Sequence, residues 1–141
     1  MSDVAALLGR IGVGVVFVAH GWQKFTERGL SGTAQAFEGM GVPLPTVSAW
    51  FAALVELVGG ALLIVGAALP LVGVLLLVNM LGALVIVHLP NGLLGQGGYE
   101  FVLVLGVAAL ALGFNGGALT VDRLVRRKAP NNAQAGARAN A

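Results

Sequence analysis

Four long apolar stretches dominate the 141-residue sequence and constrain its fold more than any other feature. They cover residues 4–25, 47–68, 71–89 and 99–114, and few charged side chains interrupt them. About 20 apolar residues are needed to cross the hydrocarbon core of a bilayer. Charged residues make up 10% of the chain, against roughly a quarter in an ordinary soluble domain. We therefore predict an all-α membrane protein whose four transmembrane helices form an antiparallel bundle.

Polar or proline- and glycine-containing segments connect the predicted spans. Residues 26–45 form the first outer loop, in which 33–40 are predicted to be a short interfacial helix. The second and third spans follow each other so closely that they form a hairpin. Residues 1–125 therefore constitute the transmembrane domain, and 126–141 are a basic tail that we expect to be disordered. The first stretch lacks a basic segment before it, so we interpret it as a span rather than a signal peptide.

The charge distribution predicts the orientation in the membrane. From residue 122 onward five cations stand against one anion, whereas the preceding residues contain three cations and five anions. The positive-inside rule therefore places the C-terminus in the cytoplasm, and four crossings place the N-terminus there too. No basic face interleaved with aromatic residues is present, so nucleic acid is not an expected partner. The expected partner is instead the lipid bilayer.

Ionisable side chains inside the spans are the candidate functional residues, because each costs at least ~2.5 kcal/mol at mid-span. Glu56 is predicted to lie about 13 Å below the outer boundary of the membrane, because a helix rises about 1.5 Å per residue. His20 and Lys24 share one face of the first helix toward the outer side, and Glu100 opens the fourth span there. We predict that Glu56, Lys24, Glu100 and His20 form an outer polar pocket. Glu56 either exchanges protons or binds a ligand there, or it is a structural lock paired with Lys24.

The remaining charged and histidine residues support weaker hypotheses. Arg10 lies toward the cytoplasmic side, and Asp122 is its most economical partner, so we predict a structural charge pair. Haem ligation by His20 and His88 is disfavoured, because two histidines alone are a weak pattern. No metal site is predicted, since the Glu-x-x-His spacing of di-iron bundles is absent. The absence of cysteine excludes disulfides, thiolate zinc sites and cysteine-held clusters.

Glycines in the spans indicate close helix packing. Gly59-Gly60 follows Glu56 by one turn, and Gly113 with Gly117 forms a GxxxG motif. Such residues allow helix backbones to approach, either within one chain or between chains.

The order and spacing of several motifs resemble the DoxX family of small four-span bacterial membrane proteins over roughly residues 7–123. The motifs are Arg10-Ile-Gly12, His20-Gly21-Trp-Gln-Lys24, Phe37-Glu-Gly-Met-Gly41-Val-Pro43, Glu56-Leu-Val-Gly59-Gly60, Asn79-Met-Leu-Gly-Ala83, Tyr99-Glu100 and Thr120-Val-Asp122. The resemblance implies a four-helix bundle in a bacterial plasma membrane. It also implies an association with redox chemistry, since relatives include a subunit of a thiosulfate:quinone oxidoreductase.

These observations together predict an integral membrane subunit of a quinone-linked or oxidative-stress oxidoreductase system. The sequence does not identify the cofactor, although a quinone head group could bind in the outer pocket. Other membrane or redox proteins, or a second copy of the chain, are the expected partners. The alternative is a non-catalytic scaffold that docks partner proteins. A small-molecule or proton pathway is less favoured, because the chain lacks the inverted repeat common in transporters. Whether the chain is itself catalytic stays open.

Overall fold

The computed structural model describes residues 1–128, and these are helical with short connections. The predicted tail beyond residue 128 lies outside the described residues. The helices are α1 (Asp3–Thr26), α2 (Gly29–Gly39), α3 (Pro45–Val65), α4 (Leu69–Ala83), α5 (Glu100–Phe114) and α6 (Val121–Lys128). A π-helical turn, Leu84–His88, and a 3-10 turn, Leu89–Asn91, extend α4.

Within residues 1–128, three helical segments are long and apolar enough to cross a membrane: α1, α3 and α4 with its two extending turns. The segment Leu69–Asn91 contains 23 residues, and α3 contains 21. Helix α5 is equally apolar but has only 15 residues, which corresponds to about 22 Å against a hydrocarbon core of about 30 Å. All-helical architecture is thus confirmed, with three helices of spanning length.

The helices pack mainly as two pairs, α1 with α3 and α4 with α5, and glycines bring each pair together. A Cβ atom on Gly14 would lie 2.8 Å from the carbonyl oxygen of Gly60, and the reverse contact has the same distance. In the second pair, a Cβ on Gly73 would lie 2.8 Å from the carbonyl oxygen of Ala109. Each of these glycines permits backbone contact that any larger residue would prevent.

Arg10 joins the first half of α1 to the C-terminal end of α3. Its side chain is fully buried, and its guanidinium donates to the carbonyl oxygens of Leu63 and Ile64, at 3.3 and 2.9 Å. It also donates to the carbonyl oxygen of Leu119, at 2.5 Å. The last carbonyls of a helix have no partner within the helix, so a cation there satisfies them and complements the helix dipole.

Two sequence predictions about the connections change in detail. The short helix expected at 33–40 is longer and earlier, since α2 begins at Gly29. The final helix α6 continues to Lys128, so residues 126–128, which we expected in a disordered tail, are helical. Four of its last six residues are basic, which suits a helix C-terminus.

Candidate functional site

A cavity of about 620 Å³ lies among α1, α2, α3, α5 and the end of α4. Most of its wall is hydrophobic, including Phe17, Phe51, Phe101 and Leu105. Lys24, Glu56 and Asn79 supply a polar patch on that wall, and His20 and His88 also line it. An apolar chamber with a few convergent polar groups is the usual form of a small-molecule site.

Lys24, Glu56 and Asn79 form a connected cluster at the cavity. The ammonium nitrogen of Lys24 lies 2.5 Å from Oε2 of Glu56. The amide nitrogen of Asn79 donates to Oε1 of the same carboxylate at 2.9 Å. Each carboxylate oxygen therefore accepts one hydrogen bond and retains a further lone pair for a ligand.

Local sequence explains why this carboxylate is tolerated inside the bundle. Glu56 is 4% exposed, and its neighbours one turn away on α3, Ala52 and Gly60, are small and buried. Gly60 lets α1 approach α3, and Gly59 lets Leu76 of α4 approach it. Lys24 and Asn79 therefore reach the carboxylate. A buried charge must be paired or hydrogen-bonded, and Glu56 is both.

The two histidines present the same ring nitrogen as a free acceptor. Nδ1 of His20 bonds the carbonyl oxygen of Val16 at 2.8 Å, and Nδ1 of His88 bonds that of Gly97 at 2.7 Å. A carbonyl only accepts hydrogen bonds, so each Nδ1 carries a proton. In the tautomer with the proton on Nδ1, Nε2 is an acceptor. The His20 ring also lies 5.8 Å from that of Phe101 on α5, centroid to centroid.

The end of α4 changes its helical repeat where it borders the cavity. The π-helical turn Leu84–His88 contributes Ile86, Val87 and His88 to the wall. A π-helical turn rotates the following side chains relative to an α-helix, and such turns are frequent at functional sites. This turn brings His88 to the same cavity as Asn79, which lies nine residues earlier on α4.

The structure brings together three of the four residues predicted to form the pocket. Glu56, Lys24 and His20 line the cavity. Glu100 does not: it is exposed in the first turn of α5, where a carboxylate favours the positive end of the helix dipole. Within residues 1–128 no group of three or more histidine, cysteine, aspartate or glutamate side chains is placed to hold a metal ion.

Arg10 and Asp122 are not brought into an ion pair. Among the described residues the salt bridge is that of Lys24 with Glu56. The guanidinium of Arg10 is occupied by carbonyl groups at the end of α3 and before α6, and Asp122 bonds the carbonyl oxygen of Gly66 through its backbone nitrogen. Helix-end carbonyls compete as acceptors for a buried cation, and sequence spacing does not reveal them.

Sequence reasoning missed the role of Asn79 and of α2. Asn79 is the polar residue that interrupts the third apolar stretch, and that interruption was the available signal. On α2, Phe37 faces the cavity, as do Arg28 before the helix and Met40 after it. Their participation depends on how α2 folds back over α1 and α3, which no local pattern indicates.

Comparisons with known proteins give one family match and two similar proteins. Residues 5–89 match the family model described as DoxX. The chain is 36% identical over 110 residues to "Putative oxidoreductase CatD" of Bacillus subtilis (strain 168), which covers 78% of this chain and 79% of that protein. It is 37% identical over 94 residues to "Uncharacterized membrane protein Rv3486" of Mycobacterium tuberculosis, covering 64% of this chain and 57% of the relative. No solved structure gives a significant match.

Proposed function

The chain belongs to the DoxX family of membrane proteins, and from that premise we propose that it is the quinone-binding membrane subunit of an oxidoreductase system. The similarity to a protein named as an oxidoreductase supports the redox association. The cavity is the observation on which the quinone assignment rests. Its wall is hydrophobic except for one cluster, formed by the ammonium of Lys24, the carboxylate of Glu56 and the amide of Asn79.

The cavity chemistry suits both redox forms of a quinone. An ammonium such as Lys24 and an amide such as Asn79 can donate hydrogen bonds to a quinone carbonyl. The carboxylate of Glu56 and the free Nε2 atoms of His20 and His88 can accept hydrogen bonds from the hydroxyls of a quinol. Phe51 and Phe101 provide apolar and aromatic surface for the ring.

In this proposal the cavity residues transfer protons and a partner protein transfers electrons. Reduction of a quinone to a quinol consumes two electrons and two protons. When a quinol is oxidised, the Glu56 carboxylate and one histidine Nε2 accept its two protons. In the reverse direction the same two groups first take up protons from water and then donate them to the two oxygens of the quinone. The electrons come from, or go to, a partner redox protein that carries its own redox centre. The chain is therefore a subunit whose activity depends on that partner.

The proposed topology has four membrane crossings with both termini in the cytoplasm of a bacterial plasma membrane. Helices α1, α3 and α4 with its extending turns have spanning length, and α5 is shorter but almost entirely apolar. A short apolar helix crosses when the bilayer thins locally or flanking residues reach the interface. Helix α2 lies over the outer ends of α1 and α3 and occupies the interface there.

A scaffold is the second candidate function, and one observation favours it. The Lys24, Glu56 and Asn79 cluster connects α1, α3 and α4, which is what a structural lock without any ligand would also do. A scaffold of this kind would dock other membrane or redox proteins, or a second copy of the chain, on its outer surface.

Mass spectrometry of tagged protein purified gently from its native membrane tests the proposal. Bound small molecules and co-purifying proteins are recorded for wild type, Glu56→Gln and the matched control Glu38→Gln, whose carboxylate is exposed on α2. We expect quinone with the wild type and the control, and its loss from folded Glu56→Gln. Equal partner ratios without quinone in any form would contradict quinone binding and favour the scaffold.

A further inference from the structure

Helix α6 separates its apolar side chains from three of its four basic side chains. Val121, Leu124 and Val125 lie at positions i, i+3 and i+4, and they are 40%, 58% and 63% exposed. Arg123, Arg126 and Arg127 lie on the other side of the helix, whereas Lys128 follows Leu124 by one turn at the end of the apolar stripe. No ion pair involving these four cations occurs within residues 1–128. The helix therefore presents an uncovered apolar stripe and unneutralised positive charge.

Three hydrogen bonds fix where α6 begins. The backbone nitrogen of Asp122 donates to the carbonyl oxygen of Gly66, 3.2 Å away, just after α3. The hydroxyl of Thr120 accepts a hydrogen bond from the backbone nitrogen of Arg123. Before the helix, the backbone nitrogen of Ala118 donates to the carboxylate of Asp3 at 2.7 Å. The start of α6 is thus held at the end of the bundle where α1 begins and α3 ends.

We propose that α6 lies in the membrane interface, with its apolar stripe in contact with acyl chains and its cations in contact with anionic phospholipid headgroups. The argument is one of position and complementarity. The bundle ends where its apolar spans end, so a helix fixed there meets the headgroup region. An amphipathic helix with basic residues opposite an apolar stripe binds such a surface. Each cation near an anionic leaflet adds about a fivefold preference for the bound state.

The absence of native cysteine gives a direct experiment, because single cysteines can be introduced without changing other residues. Full-length Leu124→Cys and Arg127→Cys are each labelled with a nitroxide and placed in nanodiscs. One nanodisc contains phosphatidylcholine alone, and the other adds phosphatidylglycerol. Electron paramagnetic resonance then measures the collision rate of each label with oxygen, which enriches in lipid, and with a nickel chelate, which stays in water.

The proposal predicts that the label at position 124 collides with oxygen and avoids nickel in anionic nanodiscs, while the label at 127 collides with nickel. Replacing Arg123, Arg126 and Arg127 by glutamine in the Leu124→Cys protein should shift label 124 toward water by about fivefold per arginine. Equal nickel collision at both positions would overturn the proposal. Protection of label 124 from oxygen and nickel alike would also overturn it, since that pattern indicates burial against protein.

Discussion

Lys24 and Glu56, which are 32 positions apart in the sequence, form a salt bridge of 2.5 Å on the wall of the cavity. The side chain of Glu56 is 5% exposed, at the cavity wall, whereas that of Lys24 is 19% exposed. The pair therefore joins α1 to α3 and leaves its cationic partner in reach of a ligand. One charged residue can therefore hold the bundle together and also bind a ligand.

Replacement of Glu56 by glutamine should lower stability as well as ligand binding. Lys24 would lose its partner, and breaking a buried pair from one side costs about 3–5 kcal/mol, reduced here because Lys24 can turn toward water. We expect a loss of about 1–3 kcal/mol, measured by thermal unfolding in detergent. The double variant Lys24→Met with Glu56→Gln should recover part of it. Strictly additive losses would show that the two side chains are energetically uncoupled.

Asn79 should matter through its hydrogen bond to Glu56 rather than through its size. Asn79→Leu keeps the branched shape of the side chain but removes the donor, and a hydrogen bond to a charged group contributes about 1.5–3 kcal/mol. Asn79→Asp places a second carboxylate beside the first and should be worse, because like charges repel. Chemical unfolding of both variants in detergent shows which of the two loses more stability. An Asn79→Asp protein that is more stable than Asn79→Leu would contradict the 2.9 Å hydrogen bond from Asn79 to Glu56.

The sequence predicted the helical class and the pairing of Glu56 with Lys24 because both follow from local chemistry. Apolar runs long enough to span a bilayer fix the helices, and a lone carboxylate in such a run requires a partner, which identified Glu56 and Lys24. Partners that depend on tertiary geometry were not predictable. Asn79 and the carbonyl groups around Arg10 are of that kind. Glu100 has the right depth in the sequence, yet the start of α5 places its side chain outside the cavity.

The different surroundings of Arg10 and Asp122 predict that stability depends more strongly on Arg10 than on Asp122. Arg10→Lys keeps the charge but loses the planar fork that reaches carbonyls of both α3 and the segment before α6. We expect it to destabilise the protein by about 1–3 kcal/mol. Asp122→Asn should cost only about 0.3–1 kcal/mol, because the half-buried Asp122 loses its favourable interaction with the helix dipole in the first turn of α6. Thermal unfolding of the two variants compares them. Equal losses would instead support a pair between Arg10 and Asp122.

Glycine substitutions on the first helix pair should separate packing from helix propensity. Gly60→Ala adds a Cβ atom 2.8 Å from the carbonyl oxygen of Gly14, so the helices must move apart at a cost of about 1–3 kcal/mol or more. Gly12→Ala on α1 adds the same atom where nothing lies within 4 Å. It should be neutral or stabilising by up to about 1 kcal/mol. Similar losses in both variants would contradict the close contact of α1 with α3.

Titration of the purified protein in lipid nanodiscs with a short-chain quinone, followed by calorimetry, tests the central claim most directly. Wild type is compared with Glu56→Gln, with Glu38→Gln as the surface control, and with Ala83→Phe, which fills the cavity without altering the polar cluster. We expect saturable binding to wild type and Glu38→Gln, and at least tenfold weaker binding to the other two folded variants. Saturable binding of equal affinity in all four proteins, or none in the folded wild type, would contradict the assignment of this cavity as a quinone site.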